Sequence, residues 1–330
     1  MSPRRIFVAL LAFALLVPAL AGCSPAEEPS SDASSEGAAE LAAITIGTLT
    51  TEDALPLWAA EDLGLFADAG LGDVEIVTFQ AAAERDAAFA AGEIDAFMGD
   101  IIAAANLEAG GIPVTIGTVM LGATPAEGRF GIVAPPGSSY NDLTALAGVP
   151  VGTSSATIQE YVLDGLMRQA GVDQADVTIE QVDKVPVRFE LLMNGQLQAA
   201  ALPEPLLSLA ESKGAVLLAD DTTGENLSQT VLVFSDEYLS EPGGVGTLDA
   251  LLGVWDEAAA QVNGDPDAWR DTLVDKARLP EELRDTYAVN EYPEAQVPTQ
   301  EQVDAVLTWM TDKGLLTQTL TYEQLVLVTP

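Results

Sequence analysis

The chain has 330 residues, 48% of them hydrophobic, enough for a sizeable core in one large or two medium domains. It carries 13 Lys and Arg against 51 Asp and Glu, a formal net charge of −38, so nucleic acid and anionic membrane surfaces are repelled by the body of the protein. There is no histidine and one cysteine, Cys23, which excludes an internal disulfide, Ser-His-Asp or Cys-His catalysis and histidine-based metal sites.

The chain opens with a basic stretch, Met1–Arg5, followed by an apolar run of 15 residues, Ile6–Leu20. That run is short for a membrane span and has the form of an export signal. It ends in Leu20-Ala21-Gly22-Cys23, which looks like a bacterial lipoprotein box, in which the cysteine is lipidated and becomes the first mature residue. Residues 1–22 are therefore expected to be a signal peptide. Residues 23–41 are expected to be a lipidated Cys23 with a flexible acidic tether, since the small, polar and acidic Ser24–Glu40 cannot build a core.

From there strands alternate with helices, the pattern of an α/β fold with parallel sheets. The predicted strands are Ala43–Thr48, Val74–Phe79, Ile94–Gly99 and Val114–Leu121, with helices over Leu57–Phe66 and Ile101–Ala109 between them. Thr124–Gly128 breaks the pattern and reads as a crossover between two lobes. Strands follow at Gly131–Ala134, Val149–Gly152, Val177–Val182 and Val216–Leu218, and Thr222–Leu227 reads as the return crossover to a strand at Thr230–Phe234. The remainder is predicted helical: Leu248–Asn263, then starts at Pro266, Pro280 and Thr299, with Trp255, Trp269 and Trp309 on apolar faces.

Two stretches repeat one pattern. Ala82–Asp100 reads as a helix stopped at Gly92, a short apolar strand and an acid, Asp100. Arg188–Glu204 reads as a helix stopped at Gly195, a short apolar strand and an acid, Glu204. Ligands of open α/β sheets bind beyond the carboxyl ends of the strands, so Asp100 and Glu204 are candidate ligand contacts. Arg85 and Arg188 are expected to pair with neighbouring acids. Thr153–Glu160 adds a helix start rich in small hydroxyls, with Thr157 and Glu160 spaced as a capping box. Ser154, Ser155 and Thr157 there would either cap free backbone N–H groups or cap them and also contact ligand.

At these residues the chain resembles the extracytoplasmic solute-binding proteins of bacterial ABC importers, in the branch serving nitrate, sulfonates, taurine and thiamine-type pyrimidine precursors. The likeness is carried by Pro56–Phe66 (PLWAAEDLGLF), by Glu84-Arg85-Asp86 with Ala91–Ala96, by Gly152–Thr157, and by Leu192–Gly195 through Ala201–Pro205. It implies a type II periplasmic-binding-protein fold: parallel-sheet lobes joined by two crossover segments, with residues 42–124 plus 230–330 as lobe 1 and 125–229 as lobe 2. It also implies a ligand cleft lined by Thr50, Thr51, Glu52, Trp58 and Gln80 besides Asp100, Ser154, Ser155, Thr157 and Glu204. The implied protein is a monomer without cofactor, metal or catalytic residues, anchored to the cell membrane through Cys23. It would deliver its solute to permease and ATPase subunits.

The candidate positions depart from an anion site, because they offer Glu52, Asp53, Asp100 and Glu204 and few cations. A small neutral or cationic organic solute, an amine or a pyrimidine-like heterocycle, is the expected ligand. An anionic solute such as a sulfonate or nitrate is the alternative, as is a sensory surface lipoprotein without transport. A carboxylate-only glycosidase is disfavoured, since nothing sets two acids in an aromatic, sugar-sized groove.

Overall fold

A computed structural model describes residues 41–327, so the expected signal peptide, Cys23 and the tether up to residue 40 lie outside the described residues. The first strands and helices are β1 (Ile44–Leu49), α1 (Leu55–Leu63), α2 (Leu65–Asp68), β2 (Val74–Phe79), α3 (Ala82–Ala90), β3 (Ala96–Asp100), α4 (Ile101–Ala109) and β4 (Val114–Leu121). Then come β5 (Phe130–Ala134), β6 (Pro150–Thr153), α5 (Ile158–Gln169), β7 (Thr178–Gln181), α6 (Val185–Met193), β8 (Ala199–Pro203), α7 (Leu206–Ser212) and β9 (Val216–Asp220). The last part holds β10 (Thr230–Ser235), α8 (Asp236–Leu239), α9 (Gly244–Gly264), α10 (Arg270–Lys276), α11 (Gln300–Asp312) and α12 (Tyr322–Leu325).

The strands form two five-stranded sheets, ordered β2-β1-β3-β10-β4 and β7-β6-β8-β5-β9. The α/β class is as expected, but the sheets are mixed rather than parallel. β1 runs parallel to β2 and β3, and β6 to β7 and β8, whereas β10 and β5 are antiparallel to both neighbours. Parallel pairing needs a helix-length return within one sheet. β5 and β10 have none, because each arrives directly from the other sheet by a crossover. The two crossovers are pinned together: Asn226 Nδ2 donates to the carbonyls of Gly122 and Ala123 at 2.8 and 3.2 Å.

Helices cover both faces of the sheets, so β3 and β8 read as continuous apolar runs. Along β3, Ala96 and Met98 join one buried cluster and Phe97 the other; along β8, Ala200 and Leu202 join the first and Ala199 and Ala201 the second. Each cluster therefore takes in residues of both sheets. Trp255 is fully buried and its indole N–H donates to the carbonyl of Pro293 at 3.0 Å.

The repeated pattern is a repeated structure. α3 and α6 both end in a glycine with left-handed backbone, Gly92 (φ 69°) and Gly195 (φ 67°). The same pair of bonds closes each end: Glu93 N–H to Ala88 O and Gly92 N–H to Phe89 O, Gln196 N–H to Leu191 O and Gly195 N–H to Leu192 O. In each unit a buried arginine seven residues before that glycine donates to a strand carbonyl, Arg85 to Met98 O at 2.7 Å and Arg188 to Ala201 O at 2.8 Å. Arg85 pairs with Asp86 at 2.6 Å as expected. Arg188 does not pair with an acid. It donates to Val182 O at 3.1 Å and to Gln159 Oε1, and burial pushes its guanidinium down to about 9.

Three local expectations need correction. Leu57–Phe66 is not one helix, because Gly64 takes a left-handed turn (φ 74°) between α1 and α2. Pro280 starts only a single 3-10 turn, Glu281–Leu283, and the chain then runs irregularly to α11. Thr157 and Glu160 do not form a capping box. The Thr157 hydroxyl donates back to Ser154 O at 2.7 Å, and Glu160 reaches one residue further, accepting from Ala156 N–H at 2.6 Å. Capping boxes form instead at Thr299/Gln302 and Thr321/Gln324.

Candidate functional site

A cleft of about 460 Å³ opens where the carboxyl ends of both sheets meet. One wall comes from Thr50 and Thr51 after β1, Gln80 after β2 and Asp100 closing β3; the other comes from Ser154 and Ser155 after β6, Gln181 closing β7 and Glu204 after β8. This is the position the strand-end rule assigns to ligands, and the volume lies in the small-molecule range, roughly 300–1,000 Å³.

Of the residues expected from the sequence, Thr50, Thr51, Gln80, Asp100, Ser154, Ser155, Thr157 and Glu204 line this cleft. Glu52 and Trp58 do not. Trp58 is 1% exposed and packs into the core from α1. Glu52 is 4% exposed and turned away from the cleft: its carboxylate accepts from Tyr287 OH at 2.6 Å and Asn290 Nδ2 at 2.7 Å. Tyr292 OH also donates to the Glu52 carbonyl, at 2.8 Å. Burial first, and then the charge of Glu204, hold the Glu52 carboxyl well above its ordinary range. Glu52 thus anchors the chain's late segment onto the turn Glu52–Ala54 and fixes the neighbours, Thr51 and Asp53, that do face the cleft.

Asp100 connects the two walls. Its Oδ1 accepts from Ala103 N–H at 2.7 Å and so caps α4, while Oδ2 accepts from Ile158 N–H at 3.4 Å at the start of α5. A carboxylate between two helix N-termini is favoured by both dipoles. Burial nevertheless raises its pKa, with the Arg85 charge working against that rise. Two N–H groups in the turn before α5 are also engaged: Ser155 N–H with Gln181 Oε1 at 3.2 Å and Ala156 N–H with Glu160. Ala156 makes this possible with a left-handed backbone, φ 58°. Glu204 accepts from Ser208 N–H and Oγ at 3.1 and 2.8 Å and from Arg129 at 3.1 Å, and burial raises its pKa despite these bonds.

The cleft is acidic. Asp53, Asp86, Asp100, Asp183 and Glu204 line it against Arg85 and Arg278, and Arg85 is already bound to Asp86 and Met98. Asp183 accepts from Ser154 Oγ at 3.0 Å, which ties that hydroxyl to the wall. Among the described residues no group of acids is disposed to hold a metal ion.

Residues 51–268 match the family described as "NMT1/THI5 like". The chain belongs to the NMT1/THI5-like family. No curated protein sequence matches it. Among solved structures it is similar to the alkanesulfonate-binding protein SsuA from Xanthomonas axonopodis pv. citri bound to MOPS. That match has a TM-score of 0.74 and 21% identity, and covers 88% of this chain and 99% of the other. The periplasmic aliphatic sulphonate binding protein SsuA from Escherichia coli matches with a TM-score of 0.71 and 19% identity, over 87% of this chain and 92% of that one. The periplasmic nitrate-binding protein NrtA from Synechocystis PCC 6803 matches with a TM-score of 0.69 and 15% identity, over 87% and 85% of the two chains. At these identities the likeness establishes the periplasmic-binding-protein fold.

The sequence counts Asp53 among the candidate cleft acids but carries only Glu52 into the ligand set, because nothing local says which of two adjacent acids in a tight turn faces the cleft. Other charged lining residues, Arg85, Asp86, Asp183 and Arg278 among them, went unexpected. Asp183 lies in the connection between β7 and α6. Arg278 lies beyond the matched residues, in a segment whose position depends wholly on how the late helices pack.

Proposed function

We propose that this protein is the extracytoplasmic solute-binding component of an ABC importer, tethered to the membrane through a lipidated Cys23. It closes its two lobes on a small organic solute that is neutral or cationic. The observation that carries the reading is the cleft itself: strand ends and helix starts of two sheets face each other across about 460 Å³, and the chain passes between those sheets through paired crossovers. Such a layout closes by hinge motion around a bound solute. Membership of the NMT1/THI5-like family and neighbours named as periplasmic binding proteins support the same reading, and so does the lipoprotein-like start of the sequence. The permease and ATPase subunits are the implied partners, and the chain acts as a carrier rather than an enzyme.

An anionic solute is the second reading, favoured by the sulfonate and nitrate named for the neighbours. Against it, three N–H groups at and just before the start of α5, those of Ser155, Ala156 and Ile158, already bond to the protein's own oxygens on Gln181, Glu160 and Asp100. Five lining carboxylates add repulsion.

A bound solute stabilises the folded state by mass action, about 2.7 kcal/mol at a hundredfold excess over Kd. A thermal-shift screen of the full-length chain in mild detergent, over amines, pyrimidines, amino acids, sulfonates and nitrate, should give a shift with an amine or heterocycle class. A chain that no solute class stabilises would overturn the carrier reading. Ser154→Ala should weaken the solute found by up to about tenfold, the loss of one hydrogen bond, while the empty protein loses no more than the Ser154–Asp183 bond, about 1 kcal/mol. Unchanged affinity in both Ser154→Ala and Asp100→Asn would overturn the assignment of these two contacts.

A further inference from the structure

In so acidic a chain every cation should find an acid, and nearly all do. Among the described residues Lys184, Lys213, Lys276, Lys313, Arg85, Arg129, Arg168, Arg270 and Arg284 each form an ion pair. Arg188 is held by carbonyl and amide oxygens. Arg278 is the exception. Its side chain is exposed at the cleft and takes part in no hydrogen bond or ion pair with a described residue. It also sits in the left-handed region, φ 56°, as one of only two non-glycine residues there among the described residues, the other being Ala156 on the opposite wall. A long side chain in that conformation costs about 1–2 kcal/mol, strain of the kind found at ligand clamps.

The same cleft holds an opposite charge in the same condition. Asp53 is 8% exposed and lines the cleft, and its carboxylate accepts no hydrogen bond from a described residue. Its carboxylate oxygens open onto the cleft with no donor from a described residue on them, so a donor on a ligand can reach them. Next to it, Thr51 Oγ1 is shielded from water with no partner. Asp53 and Arg278 do not satisfy each other, although both line one cavity. Every other lining acid has a donor: Asp86 has Arg85, Asp100 has Ala103 N–H, Asp183 has Ser154, and Glu204 has Ser208 and Arg129.

We propose that Asp53 and Arg278 are the two poles of the solute site and that the solute is a zwitterion. Its ammonium group bonds the Asp53 carboxylate and Thr51 Oγ1, and its carboxylate is held by the Arg278 guanidinium. This rests on the carrier reading and sharpens it, since a zwitterion is neutral overall yet presents a cation to the acidic wall. A plain amine leaves Arg278 unused, and a plain carboxylate meets five acids with one free cation.

The test is isothermal titration and thermal shift of the full-length chain in mild detergent. The probes are α-, β- and γ-amino acids, each with its N-acetyl derivative (anion only) and its methyl ester (cation only). Pyrimidines, simple amines and a sulfonate form separate arms. The expected result is binding by one or more amino acids, at least tenfold weaker binding of both of its blocked derivatives, and at least tenfold loss in Arg278→Gln and in Asp53→Asn. Arg278 is exposed and unpartnered, so Arg278→Gln should keep the wild-type melting temperature in the empty state, which separates lost recognition from lost folding. Binding of an amino acid with equal affinity by the wild type and Arg278→Gln would overturn the assignment, and so would equal binding of the blocked derivatives. Binding confined to the pyrimidine, amine or sulfonate arms would overturn the zwitterion and leave the carrier reading standing. Silence in every arm would overturn both.

Discussion

At the scale of single residues, the chemistry of this protein is set by buried carboxyls. Burial raises the pKa of Glu52, Asp100 and Glu204, and it raises Asp221, whose Oδ1 accepts from Phe130 N–H at 2.8 Å, to about 6. An acid with a raised folded pKa binds its proton more tightly in the folded chain than in the unfolded one. Its contribution to stability is therefore complete below the unfolded value and is lost as pH rises through the folded value. The melting temperature should accordingly rise as pH falls from about 7.5 to about 5, where the unfolded acids begin to take up protons as well. Asp221→Asn should flatten that rise, a change visible in melting curves recorded across the range. The lowered acids Asp220 and Glu84 act in the opposite sense and withdraw their support at more acidic pH.

At the scale of elements, the repeated helix–glycine–strand unit is what places a cleft-lining acid in each wall. The αL glycine turns the chain from helix to strand, and the buried arginine fastens that helix to the strand carbonyl beside the cleft. Side chains at such positive φ cost about 1–2 kcal/mol, so Gly92→Ala and Gly195→Ala should each lower unfolding stability by about that amount. The two glycines sit beside different sheets, so the double substitution should give the sum in denaturant unfolding. A much larger combined loss would mean that the two units are coupled.

At the scale of the molecule, the walls of the cleft are tied by few direct contacts. Glu84 on α3 pairs with Lys184 at the start of α6 at 2.9 Å, and Glu282 pairs with Lys213 after α7 at 2.6 Å. Deeper, Lys313 after α11 pairs with Glu160 and Asp164 of α5, and Trp309 Nε1 donates to Asp164 at 2.8 Å. The outer two pairs are half exposed, so they hold the two walls together only modestly. Lys184→Ala with Lys213→Ala should weaken the solute a few-fold by easing opening, within the range of such pairs. The charge swap Glu84→Lys with Lys184→Glu should keep near wild-type affinity. An affinity unmoved by the double alanine variant would show that these pairs play no part in closure.

Much of the architecture was legible because its causes are local. Strand periods, helix-stopping glycines and the acids after Gly92 and Gly195 act over a few residues, and they placed most strands, the repeat, Asp100 and Glu204. Composition alone disposed of histidine and disulfide chemistry. The antiparallel course of β5 and β10 was out of reach, since direction follows from which sheet a strand enters and that is a long-range contact. Glu52 was misplaced for the same reason: Tyr287, Asn290 and Tyr292, more than two hundred residues away in sequence, decide that Glu52 turns inward and Asp53 outward. Arg278 went unseen because a charge left without a partner is a property of the packed molecule. Sequence fixes which charges exist; only the fold decides which of them remain free to meet a ligand.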